Sequence, residues 1–95
     1  MKGVKFYDKD TEKDIVLHPD GVFIFIGLKP NVDIVKDLVA CDEGGFIITK
    51  TNMMTSTPGL FAAGDCRSGS TKQAAAAAGE GAAVALMVRD YLKKK

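Results

Sequence analysis

The residues best placed to do chemistry lie in one stretch, Pro58-Gly59-Leu60-Phe61-Ala62-Ala63-Gly64-Asp65, followed by a Ser/Gly/Thr-rich loop and then by a helix of small residues. Leu60 to Ala63 form a short apolar run that reads as a buried strand. A strand ending in Gly64-Asp65 sets one carboxylate at its carboxyl end, beside the amino end of the next helix. Open α/β sheets bind ligands at that place. There Asp65 can accept hydrogen bonds from the hydroxyls of a sugar or polyol. The free N–H groups at the head of the helix, near Gln73 and Ala74, suit a carbonyl or an anion. Spacing alone also fits a plain turn, in which Asp caps the local backbone.

The remaining reactive side chains make no constellation. Cys41 and Cys66 lack a second cysteine or a histidine at metal-ligand spacing, so neither a zinc site nor a Cys-x-x-Cys redox pair is present. They read as free thiols of a reducing compartment. Cys41 in Val39-Ala40-Cys41-Asp42 fits a small packing residue, and Cys66 directly follows Asp65 without a resolving partner. His18 stands in a turn before Pro19, and Met53-Met54 fill a loop.

Several elements must position the Gly64-Asp65 site. Val4 and Phe6 alternate with Lys5 and Tyr7, a polar turn follows, and Ile15-Val16-Leu17 completes an expected hairpin. His18-Pro19-Asp20-Gly21 is turn chemistry. Val22-Phe23-Ile24-Phe25-Ile26 has no polar face and predicts a strand covered on both sides. Asn31 is set to cap a helix of about two turns carrying Val32, Ile34, Val35 and Leu38. Gly44-Gly45 reverses the chain into a strand over Phe46 to Thr49. From Gln73 to Leu92 alanine predominates, and a helix of about 20 residues survives its two glycines. Glu80 is its only charge between Gln73 and Arg89. A helix this apolar is normally buried in a protein larger than one of 95 residues.

Composition narrows the classes. With 13 Lys+Arg, 12 Asp+Glu and 46% hydrophobic residues, the chain is a globular type of net charge +1. No clustered basic face calls for nucleic acid or an anionic membrane, since the lysines at 93 to 95 read as a solvated terminus. The stretch from Ala74 to Val88 is too short to span a bilayer, and no secretory signal precedes the hairpin. A cytoplasmic protein is expected.

The segments Gly21-Val22-Phe23-Ile24-Phe25-Ile26-Gly27, Pro30-Asn31, Thr57-Pro58-Gly59-Leu60-Phe61-Ala62-Ala63-Gly64-Asp65, Lys72-Gln73-Ala74 and Ala78-Gly79-Glu80-Gly81-Ala82-Ala83 carry a resemblance. Together they resemble the C-terminal part of bacterial low-molecular-weight thioredoxin reductases, FAD-dependent members of the pyridine nucleotide-disulfide oxidoreductase family. The resemblance implies an α+β excerpt of a three-layer α/β FAD/NAD(P)-binding fold, with short strands and one long C-terminal helix. Residues 1–26 resemble the end of the NADPH domain and residues 27–95 the C-terminal half of the FAD domain, here forming one compact unit. It also implies that Asp65 hydrogen-bonds the ribityl chain of FAD, with Gly64 leaving room. Lys72, Gln73 and Ala74 would then head the helix whose amides face the pyrimidine end of the flavin.

The departures define the expected function. No Gly-x-Gly-x-x-Gly cradle occurs, because Gly79-Glu80-Gly81 lies inside the helix and follows no strand, and the Cys-x-x-Cys pair is missing. The expectation is a C-terminal piece of a flavoprotein disulfide oxidoreductase that contributes to flavin binding without being catalytically complete. Its partner would be the remainder of the flavoprotein or a second copy. NADPH and a thioredoxin-like substrate belong to full-length members. The alternative is a non-catalytic self-association module without cofactor, which buries the alanine-rich helix and the 22–26 segment against another chain.

Overall fold

The computed structural model describes residues 2–94 and is α+β, with two antiparallel strands and one long C-terminal helix. Strands β1 (Val4–Asp8) and β2 (Lys13–Leu17) form the expected hairpin, with Val4 opposite Leu17 and Phe6 opposite Ile15. The turn is held by Asp8, whose carboxylate accepts the Asp10 N–H at 3.0 Å and the Thr11 hydroxyl at 2.8 Å. Lys5 and Asp14 pair diagonally across the strands at 2.6 Å. Val4, Phe6, Ile15 and Leu17 share the apolar face, yet Phe6 and Leu17 remain about half exposed.

The helix α1 (Ala74–Lys93) matches the expected span within one residue at each end. Ala77, Glu80, Val84, Met87 and Tyr91, spaced three and four apart, lie on its partly covered side. Ala75, Ala78, Ala82 and Leu86 face outward, and no residue of the helix is buried. This agrees with a helix made for a larger body than the chain supplies.

The Val22 to Ile26 segment corrects the expectation of a central strand. It forms no strand, and its side chains stand in the open, with Phe23 85% and Phe25 and Ile26 each 90% exposed. An apolar strand needs a neighbour to take its N–H and C=O groups and layers to cover its faces, and the chain provides neither. Its extended shape survives in the Phe23 and Phe25 rings, which stack with centroids 6.2 Å apart. The short helix expected from Asn31 to Leu38 is also a correction. Consecutive turns replace it, joined by bonds from the amides of Val35 and Lys36 to the Val32 carbonyl and from Leu38 to Val35. Three β-branched residues in so short a run cannot meet the cost of helix nucleation.

The strands expected at Phe46 to Thr49 and at Leu60 to Ala63 shrink to single bridges. Ile47 pairs with Cys41 and with Arg67, and Met54 pairs with Phe61. A small core of Val32, Ile47 and Ala62 gathers these loops, joined by Val35, Val39, Cys41 and Cys66. Buried Thr55 ties the following loop, exchanging bonds with the Thr57 N–H at 3.1 Å and the Thr57 carbonyl at 3.2 Å. The Thr57 hydroxyl in turn donates to the Leu38 carbonyl.

The chain measures 65 × 25 × 22 Å with a radius of gyration of 19.8 Å, against about 12 Å for a compact domain of this length. Among the described residues, neither strand of the hairpin packs on α1. The hairpin and the loop-and-helix body have no common core, because the exposed 18–28 connection buries nothing between them.

Candidate functional site

The Gly64-Asp65 turn is built from the backbone outward. Gly64 is buried with φ +83°, a left-handed conformation that glycine adopts freely, and its open side faces Ala77 of α1. A Cβ added there would lie 3.5 Å from the Ala77 methyl. The Arg67 N–H closes the turn onto the Gly64 carbonyl at 3.1 Å. The loop is braced from the other side, where Ile47 donates its N–H to the Cys66 carbonyl and accepts from the Ser68 N–H.

Glu80 locks this turn to the helix. Its carboxylate receives both Nη2 and Nε of Arg67, at 2.7 and 3.0 Å, and the Gly64 N–H at 2.7 Å. Arg67 uses its remaining Nη1 on the Thr49 hydroxyl at 3.1 Å. Both side chains are largely covered, at 20% and 15% exposure. The Arg67 hydrogen bonds, with help from the Gly64 amide, lower the Glu80 carboxyl to about 2. Hydrogen bonding to Glu80 raises Arg67 in return.

A second carboxylate organises the neighbouring loop. Asp42 accepts the Ser68 hydroxyl at 2.6 Å and the amides of Phe46 and Gly44 at 2.9 and 3.0 Å, and the Ser68 bond leads in holding it below the usual carboxylate range. It thereby joins the Cys41 to Ile47 turn to the loop that leads away from Asp65.

Of the five residues marked by the sequence, Asp65, Lys72 and Gln73 line two adjoining clefts. Asp65 and Lys72 line an open cleft of about 320 Å³ together with Leu28, Pro30, Phe46 and Cys66. Lys72 also borders a second cleft, with Gln73, Ile24 and Phe25. Gly64 lies behind Asp65, and Ala74 opens α1 without lining either cleft. Lys72 has φ +59° and hangs its ammonium group on the Arg67 and Ser70 carbonyls at 2.8 and 3.3 Å, 4.1 Å from the Phe46 ring centroid. Gln73 is the N-cap residue, yet its side chain makes no cap bond. The first-turn amides at 74 to 76 therefore have no acceptor among the described residues.

The Asp65 carboxylate is exposed and takes no hydrogen bond from the described residues, in contrast to Asp42 and Glu80 nearby. An unengaged carboxylate can take hydroxyls, and unengaged helix amides can take a carbonyl or an anionic edge. Reasoning from sequence missed the Glu80–Arg67–Gly64 lock and the role of Asp42. The available signal was Glu80 itself, the one charged residue between Gln73 and Arg89, 13 residues after an arginine. Cys41 and Cys66 are both free, the Cys66 thiol resting 3.4 Å from the Ala63 carbonyl. Among the described residues no cluster of His, Cys, Asp or Glu could hold a metal ion, and no helix is long and apolar enough to cross a membrane.

Comparison with known proteins defines the class. Residues 2–81 match the pyridine nucleotide-disulphide oxidoreductase family, and the chain belongs to that family. It is 43% identical to a thioredoxin reductase of Aquifex aeolicus over its whole length, covering 30% of that protein. It is 40% identical to a component of the alkyl hydroperoxide reductase of Staphylococcus aureus, covering 18% of it. Among solved structures, the thioredoxin reductase of T. acidophilum superimposes over 98% of the chain with a TM-score of 0.79 at 40% identity. That of Lactococcus lactis does so over 99% with 0.80 at 34% identity. The chain spans 30% and 31% of those two structures. By name these relatives are reductases, and the family is one of pyridine nucleotide-disulphide oxidoreductases.

Proposed function

We propose that this chain forms one wall of the FAD site of a thioredoxin reductase-like disulfide oxidoreductase, with the rest of the site supplied by the remainder of the flavoprotein. The observation that carries the reading is the unengaged Asp65 carboxylate in the cleft it shares with Lys72, where neighbouring carboxylates are fully bonded. The residues present fit the group: an acceptor for ribityl hydroxyls at Asp65, and open amides at 74 to 76 for the electron-rich edge of the ring. When bound, the flavin supplies hydride and electron transfer between a nicotinamide and a disulfide. The chain's own part is to hold and polarise. Asp65 orients the cofactor chain, and the helix start places partial positive charge where negative charge gathers on reduction. Lys72 keeps that start in place through its bonds to Arg67 and Ser70. NADPH and a thioredoxin-like protein would be the partners of the whole flavoprotein, and the cytoplasm its compartment.

Titrating the chain with FAD, followed by flavin absorbance and by amide shifts, tests this. Asp65→Ala should weaken FAD binding by about tenfold, the value of a hydrogen bond to a charged group. Equal affinity in the two proteins would remove the assignment.

A second reading is favoured by the bare 22–26 segment: self-association in which Phe23 to Ile26 and the outward side of α1 cover one another in two copies. It predicts an oligomer that forms without flavin, and sedimentation showing a folded monomer at micromolar concentration would exclude it.

A further inference from the structure

The turn that carries Asp65 is bonded to a side chain that does not line the Asp65 cleft. Glu80 sits on the covered side of α1 and spends its carboxylate on the Gly64 N–H and on both reachable nitrogens of Arg67. Gly64 immediately precedes Asp65, and the Arg67 N–H closes the same turn. The side-chain bonds that tie this turn to α1 run through Gly64 and Arg67 and both end on Glu80, while Ile47 braces the Cys66 carbonyl from the other side. Among the described residues Asp65 has no bond of its own to orient it. The same carboxylate holds α1 against the turn, about one and a half turns from the open amides at 74 to 76.

We propose that Glu80 is a positioning residue for flavin binding, which fixes the Gly64-Asp65 turn against the start of α1 so that the Asp65 carboxylate and the helix amides meet one ligand in register. This rests on the FAD reading of the cleft. The geometry is suited to such a task because the Arg67–Glu80 contact is bidentate, which defines direction as well as distance. The Gly64 amide is a third point that excludes rotation about the pair. Glutamine at position 80 keeps the size and can still accept from Gly64, but it gives up the charge that holds the Arg67 fork. Lysine at position 67 keeps the charge and gives up the fork.

The test is a double-mutant cycle on the full chain, labelled with nitrogen-15 and titrated with FAD, following the amides of Gly64, Asp65, Gln73 and Ala74. Glu80→Gln should weaken FAD binding about tenfold. Arg67→Lys should weaken it in the same direction and covers the case in which the first variant fails to fold. The decisive arm combines Glu80→Gln with Asp65→Ala. If Glu80 acts through Asp65, the double variant binds no worse than Asp65→Ala alone, whereas independent effects would multiply. A merely structural residue would lower the melting temperature without this coupling.

If Asp65→Ala weakens binding while Glu80→Gln and Arg67→Lys bind like the parent, or if the penalties multiply in full, the positioning role is overturned and the flavin reading stands. If the parent chain shows no saturable shifts, or Asp65→Ala changes nothing, the flavin reading falls and the positioning role with it.

Discussion

Two acidic residues a short distance apart in the chain have opposite situations. Asp65 stands exposed and unbonded among the described residues, whereas Glu80 is drawn down to about 2 by Arg67 and the Gly64 amide. The difference sets a pH dependence with a definite sign. Glu80 binds its proton more weakly in the folded chain than at its ordinary value of 4.5, so the folded state gains from ionisation. That gain is complete above about pH 4.5 and fades as pH falls toward 2. Asp42, lowered chiefly by the Ser68 hydroxyl, adds in the same sense. Thermal melting from about pH 6 to about pH 2 should therefore show a loss of about 2 kcal/mol in the loop-and-helix body, and Glu80→Gln should flatten most of it. A parent and variant that lose stability in parallel would place the acid sensitivity elsewhere.

At the scale of elements, two specific contacts fix α1 near its two ends. Glu80 ties its first half to the Gly64 turn, and Tyr91 packs edge-on against Phe61 near its end, with ring centroids 5.7 Å apart. Gly79 and Gly81, on either side of Glu80, face outward, and a Cβ at either would meet nothing within 4 Å. Each glycine costs the helix about 1 kcal/mol relative to alanine, with no contact to show for it. Gly79→Ala and Gly81→Ala should each raise stability by about 0.5–1 kcal/mol in a denaturant titration of this chain. A loss instead would mean that the outward side is already covered in solution, which is the condition the self-association reading requires. Asn31 to Leu38 shows the opposite balance: its apolar spacing suggested a helix, but the chain there takes turns and packs Val32, Val35 and Val39 into the small core.

The whole molecule is longer than its composition suggests. Its 46% hydrophobic content is ample for a core, yet the buried hydrophobic residues among those described are Val32, Ile47 and Ala62. Much of the rest lies on Phe23 to Ile26, Leu28, Ile34 and the outer side of α1. Relatives of which this chain spans 30% match it from end to end, so surfaces bare here coincide with segments of larger proteins. Placed in water alone, such an apolar edge should recruit another copy. Phe25→Asp should shift the chain toward monomer in sedimentation while leaving the far-ultraviolet spectrum unchanged. If the parent is already monomeric, the interaction-module reading has no support left.

The family resemblance singled out Gly64-Asp65 with Lys72-Gln73-Ala74 as the residues to watch, while residue types and spacing were enough to specify the hairpin and the long helix. Those features are local, written in alternation, alanine content and turn chemistry. The apolar pattern at 22–26 was equally legible but pointed to a strand that the chain alone does not form, because a strand exists only with a neighbour to bond. Tertiary structure alone decided which carboxylate is locked and which is open. That choice depends on Arg67, Gly64 and Glu80 meeting across a loop and a helix, and no local pattern encodes a meeting of residues 13 and 16 positions apart.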